Sequence, residues 1–292
     1  MNHRKIAGIF ALLVSSVILF FTACKKENST TSTTGTRQLS VYLTDDPCRY
    51  DSVFIDIRYV EVKVDTSEEH KDDDHYGDKD IDRDDDHKGH DEFGKWDTLT
   101  ITPGVYNIIK LRNGVDTLLG KANLPKGAIR KIRLTLGNNN AVVVAGVSHP
   151  LKLFPGTNNY VYIKIHNEDA DDDGGGRASV WLDFNVCESI LLDNGQYYLK
   201  PVIKPFGKKQ FGSIEGKVLP LEAHAMVKAS NGSISATAIP EDDNGEYKIR
   251  GLQEGSYTIL FQGSNGYKDS TLTNIQVRKG KETKLPLVTL RK

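Results

Sequence analysis

The sequence has almost no net charge, few cysteines and no recognisable catalytic signature. Its formal net charge is −1 and it contains three cysteines. It holds no G-x-S-x-G elbow, no H-E-x-x-H pair and no phosphate loop, so the common motif-borne hydrolase and nucleotide chemistries find no support. Of eight histidines, His3 lies in the leader and His70, His75, His87 and His90 lie in a charged stretch; only His149, His166 and His224 fall in patterned sequence. We therefore expect no catalytic residues and no enzyme. The basic residues are scattered, so no nucleic-acid footprint is expected either.

The near-zero charge hides a segregation. Between Asp65 and Glu92 stand fourteen acidic against four basic residues, a local charge of −10 that leaves the remainder at +9. The stretch 65–95 is almost without apolar residues, cannot bury enough surface to offset its ordering entropy, and is expected to form a disordered acidic insert. Asp78, Asp80, Asp82, Asp84 and Asp86 alternate as in a calcium loop, but Arg83 and Gly89 replace the Gly and Glu an EF-hand requires. Loose binding of calcium by these carboxylates, zinc or nickel binding with the four histidines, or a merely solvated loop remain open. No other cofactor is expected.

What is present begins with a leader. Arg4 and Lys5 precede an apolar run, Ile6 to Phe21, and small residues lead into Cys24. The run is short for a spanning helix, and "FTAC" resembles a lipobox with Phe in place of the usual Leu. Residues 1–23 thus read as a lipoprotein signal peptide. Cys24 reads as the lipidated residue and anchors the chain in a membrane. Residues 24–37 read as a flexible tether. An outer-membrane lipoprotein, facing either the periplasm or the cell surface, follows as the expected address. Export also permits a disulfide, and the two remaining cysteines, Cys48 and Cys187, form either a bridge or two separate thiols.

The body, from Gln38 on, has the period-two rhythm of strands. Val53, Ile55 and Ile57 share one phase and Val60, Val62 and Val64 the next, a slip that predicts a β-bulge. Ile132, Leu134 and Leu136 alternate with Lys131, Arg133 and Thr135, and Val180, Leu182, Phe184 and Val186 alternate with Trp181, Asp183 and Asn185. Asn113-Gly114 marks a turn inside a segment that fits strands or a short helix. From Gly212 to Lys292 about seven short strands with Gly and Asn turns suggest a β-sandwich. The expected fold is all-β: a sandwich-like N-terminal domain (38–207) interrupted by the insert, then a second sandwich (212–292). Tyr160, Tyr162 and Trp181 lie opposite the aliphatic stripes of their strands. They form a ligand-binding aromatic surface if that face is open, and core if it is covered. Asp45, Asp46 and Pro47 read as a turn, and Arg133 or Lys200 is a candidate ion-pair partner for Asp45 or Asp183.

Two resemblances add to this reading. Asp243-Asn244-Gly245-Glu246-Tyr247-Lys248-Ile249-Arg250-Gly251-Leu252 with Gly255-Ser256-Tyr257 resembles the carboxypeptidase regulatory-like domain, which implies a transthyretin-like seven-strand sandwich serving as a non-catalytic module. "SVYLTDDPCRYDSVFIDIRYVEV", "IRLTLGNNNAVVV" and "YYLKPVIK" resemble domain of unknown function family 4382, common in envelope proteins of the Bacteroidetes. The resemblance implies an envelope protein acting in adhesion, scaffolding or assembly, with envelope proteins or glycans as partners. A carbohydrate- or divalent-metal-binding accessory lipoprotein is the alternative.

Overall fold

The computed structural model describes residues 35–66, 94–232 and 234–292. The alternating segments fold as strands, and among the described residues helix is confined to single turns such as Val186–Ser189. Among the described residues no helix is long and apolar enough to cross a membrane.

Two hydrophobic cores organise the chain, one drawn from residues between Leu39 and Leu199, the other from residues between Ile214 and Leu290. In the first lobe, strand Thr36–Asp46 lies between Arg177–Asn185, to which it runs parallel, and Thr117–Pro125, to which it runs antiparallel. These strands centre a six-stranded sheet. The long strand Ser52–Asp65 centres a nine-stranded sheet, pairing with Ala128–Leu136, Ala141–Val144, Lys95–Thr98 and Gly104–Asn107. The expected bulge occurs where the phase slips: the register with Ala128–Leu136 shifts between Ile57 and Tyr59. That shift keeps Val53, Ile55, Ile57, Val60, Val62 and Val64 all in the core, because one extra residue restores the inward phase on a period-two strand.

The second lobe stacks two four-stranded sheets. Gly212–Leu219 pairs with Glu246–Leu252 on one side and with two short pieces, Glu282–Lys284 and Val288–Thr289, on the other. Ile234–Ala238, Met226–Asn231, Gly255–Gln262 and Ser270–Val277 form the facing sheet. Among the described residues the lobe thus has eight strand segments rather than seven, because one edge is broken into two pieces. Tyr247 and Tyr257 fill its core as their phase implies. Gly245, at φ +76°, closes the turn before Glu246–Leu252; a Cβ there would stand 2.3 Å from the Val218 carbonyl oxygen.

Three expected boundaries move. Thr36 and Arg37 belong to the first strand rather than a tether, since Arg37 donates to the Gly127 carbonyl at 2.5 Å. Asp65 ends a strand rather than opening the insert: it is buried and accepts from Arg130 at 3.2 Å. Lys95 likewise begins a strand. The ambiguous segment after Gly104 resolves as strand, one 3-10 turn at Ile108–Leu111, and strand.

Candidate functional site

The outer face of the nine-stranded sheet gathers aromatic and cationic side chains. Strand register sets Tyr59, Thr135 and Tyr160 in one row and Glu61, Arg133 and Tyr162 in the next. Trp96 reaches in from the neighbouring strand, its ring centroid 5.9 Å from that of Tyr162, which is 5.1 Å from Tyr160. The Arg133 guanidinium lies 4.9 Å from the Trp96 centroid and 5.8 Å from that of Tyr160. Two hydrogen bonds to Glu61, at 2.6 and 2.5 Å, hold it there and raise its pKa further. Such a fork fixes a planar cation against ring faces. The Lys131 ammonium stands 5.9 Å from the Tyr162 centroid. Tyr162 and Tyr59 remain 49% and 59% exposed, so the platform offers flat rings that a ligand can reach.

This geometry corrects the expected aromatic trio. Tyr160 and Tyr162 share the platform, but Trp181 belongs to the other sheet and is buried. It stacks on Tyr42 (5.0 Å, interplanar angle 9°) and donates its indole N–H to Asp116 at 3.0 Å. The physical reason is that Tyr42, Phe206 and the Lys208 ammonium, 4.1 Å from its ring centroid, cover that ring from its own lobe. Trp96, which completes the platform, was missed: its segment reads only as strand, and its neighbours come from strands distant in sequence. The proposed pairing of Arg133 with Asp45 or Asp183 is also corrected, since Glu61 lies directly opposite Arg133 in register. Lys200 is exposed.

The seam between the lobes is the second feature. Asp46 accepts from the Thr237 backbone N–H at 2.6 Å, from the Thr237 hydroxyl and from Asn185 at 2.8 Å. Arg250 of the second lobe donates to Asp116 at 3.0 Å, to Thr44 at 2.8 Å and to the Val115 carbonyl at 3.1 Å. Burial alone would raise the Asp116 carboxyl, but hydrogen bonds from Lys208 and Arg250 outweigh it and hold the group below its ordinary value. The Asn113-Gly114 turn forms as expected, and Asn113 also bonds Glu241 at 2.7 Å and the Ile239 carbonyl at 2.8 Å. Behind these contacts, both oxygens of Asp45 and one of Asp183 are buried without a hydrogen-bond partner. Burial and neighbouring carboxylates push Asp45 well above the usual range and Asp183 up to about 8.

Cys48 and Cys187 are joined, with Cα atoms 5.0 Å apart; the bridge ties the segment after Thr36–Asp46 to the turn after Arg177–Asn185. Cys24 and Asp78, Asp80, Asp82, Asp84 and Asp86 lie outside the described residues. His166 opens a turn in which its N–H donates to Asp169, and His149 packs against Tyr197. Among the described residues, no group of three His, Cys, Asp or Glu side chains is placed to hold a metal ion.

Among the described residues the fold is almost all β, two sandwich-like lobes joined along the seam. Residues 36–201 match the family described as domain of unknown function (DUF4382), and the chain belongs to that family. No curated protein matches it. Similar solved structures include GBS52, the minor pilin of Streptococcus agalactiae (11% identity, covering 88% of this chain and 96% of that one, TM-score 0.20). They also include the D295N mutant of shaft pilin spaA from Lactobacillus rhamnosus GG (10%, 88% and 99%, 0.19) and a fimbrial protein from Bacteroides ovatus (12%, 87% and 50%, 0.21). At these TM-scores the likenesses carry no argument about function.

Proposed function

We propose that the protein is a non-catalytic envelope lipoprotein acting in adhesion or scaffolding, anchored in the outer membrane through Cys24. Its contact surface is the aromatic platform around Tyr162. The observation that carries this reading is the platform itself: four rings, two of them well exposed, held on a rigid sheet with a guanidinium clamped among them. Rigid aromatics with satisfied polar neighbours are what contact surfaces use, because they lose little conformational entropy on binding. The second lobe, as a carboxypeptidase regulatory-like module, serves as spacer. Its two facing four-stranded sheets and the Gly245 turn support that assignment.

A carbohydrate partner is the second reading, favoured by the flat, exposed rings of Tyr59 and Tyr162, which suit stacking on a sugar face. Retention of the purified chain on glycan arrays and on envelope fractions tests both readings. The variant Tyr59→Ala/Tyr162→Ala should lose at least tenfold in retention, and unchanged retention refutes the platform. Cys24→Ser should move the protein out of the membrane fraction; persistence there refutes the lipid anchor.

A further inference from the structure

A cleft of about 510 Å³, lined by none of the platform residues, opens along the lobe junction. Its apolar wall is the half-buried Phe211 ring, which packs edge to face on the buried Phe206 with centroids 6.2 Å apart. Four cations line it, Lys208, Lys248, Arg250 and Lys281, against one carboxylate, Glu282. The surrounding ion pairs do not cancel this excess. Arg250 and Lys208 share the single carboxylate of Asp116, at 3.0 and 3.1 Å. Lys248 is neutralised by Glu215 and Glu282, but Glu282 is shared in turn with Lys284. Lys281 forms no ion pair among the described residues and is exposed.

We infer that this cleft binds an acidic sugar, a pyranose ring bearing a carboxylate. The volume lies in the range of small-ligand sites, which favour domain junctions. The Phe211 ring suits the C–H face of a sugar ring. The free donor is Lys281, a point charge on a flexible stem that matches a single carboxylate; the one guanidinium is already spent on Asp116, Thr44 and Val115, so no fork is left for bidentate phosphate. An excess of positive charge beside a low-dielectric wall selects the anionic sugar over its neutral counterpart.

Calorimetric titration of the full chain with trigalacturonate, galacturonate, neutral galactotriose and inorganic phosphate tests this. One or both acidic sugars should bind at least tenfold more tightly than galactotriose, and raising the salt should weaken them. Lys281→Glu, an exposed change, should weaken acidic-sugar binding tenfold or more, and Phe211→Ala should weaken it without altering the salt dependence. Equal affinity for galactotriose, binding of phosphate alone, or no binding at all overturns the inference. So does binding that survives Lys281→Glu but is lost in Tyr162→Ala, which would assign it to the sheet platform instead.

Discussion

Replacing Asp183 with Asn should stabilise this protein at neutral pH and flatten its stability between pH 4 and 8. Asp183 sits on the strand Arg177–Asn185 beside Thr44 of the parallel neighbour, under the second lobe. One of its oxygens is out of solvent and unpartnered. Burial, with the nearby Asp46 charge, pushes its carboxyl from an ordinary 3.8 up to about 8, against the opposing pull of Arg250 and Lys204. In the unfolded chain the same group ionises near 3.8. Folding therefore favours the protonated form: the stabilising contribution is complete below the unfolded value and is lost as pH rises towards 8. Between those limits, at pH 7, the loss amounts to about 4 kcal/mol at 1.36 kcal/mol per pH unit. That is an upper bound, because the residue as a whole is only half-buried; a discounted figure is about 2 kcal/mol. Urea unfolding of wild type and Asp183→Asn from pH 4 to 8 reads the effect as the difference between two curves, which subtracts other titrating groups. The variant should gain about 2–4 kcal/mol at pH 7 and little at pH 4. Parallel curves, or a variant less stable at pH 7, would refute the reasoning.

Other perturbations read other parts of the structure. Cys48→Ser/Cys187→Ser opens a loop closed across a sequence separation of 139 and should cost about 5 kcal/mol in the chain-entropy model; a denaturant midpoint shift worth less than about 1 kcal/mol would contradict it. Gly245→Ala drives a Cβ towards the Val218 carbonyl at a positive φ and should cost about 2 kcal/mol or more, seen as a lower Tm. Thr237→Val removes the hydroxyl that binds Asp46 across the seam and should cost about 1–3 kcal/mol, since a buried carboxylate loses a partner. If hydrogen exchange in Ile234–Ala238 is unchanged, that contact does not join the lobes.

Much of the fold was legible because β-structure writes its pattern locally. A strand that buries one face must place apolar residues at every second position, so Ile132, Leu134 and Leu136 announced their inward face, and the phase slip at Tyr59 announced a bulge. The Asn113-Gly114 and Asn244-Gly245 turns were legible for a similar reason, since few residues tolerate the positive φ that Asn113, Gly114 and Gly245 adopt.

The sites were less legible. Which face of a strand meets solvent depends on what lies above it, and that is decided by chain segments far away. Trp181 and Tyr162 occupy equivalent phases on their strands, yet one is covered by Tyr42, Phe206 and Lys208 and the other is open. Trp96 becomes part of a platform only because its strand pairs with Ser52–Asp65. Asp45 and Asp183 read as a turn residue and an outward-facing charge, and became buried carboxyls only when two lobes closed over them. Residue order thus determined the strands, their inward phases and the turns, because those depend on neighbours within a few residues. Tertiary structure alone decided exposure, pairing and charge state, because these depend on which surfaces meet and how much water they exclude.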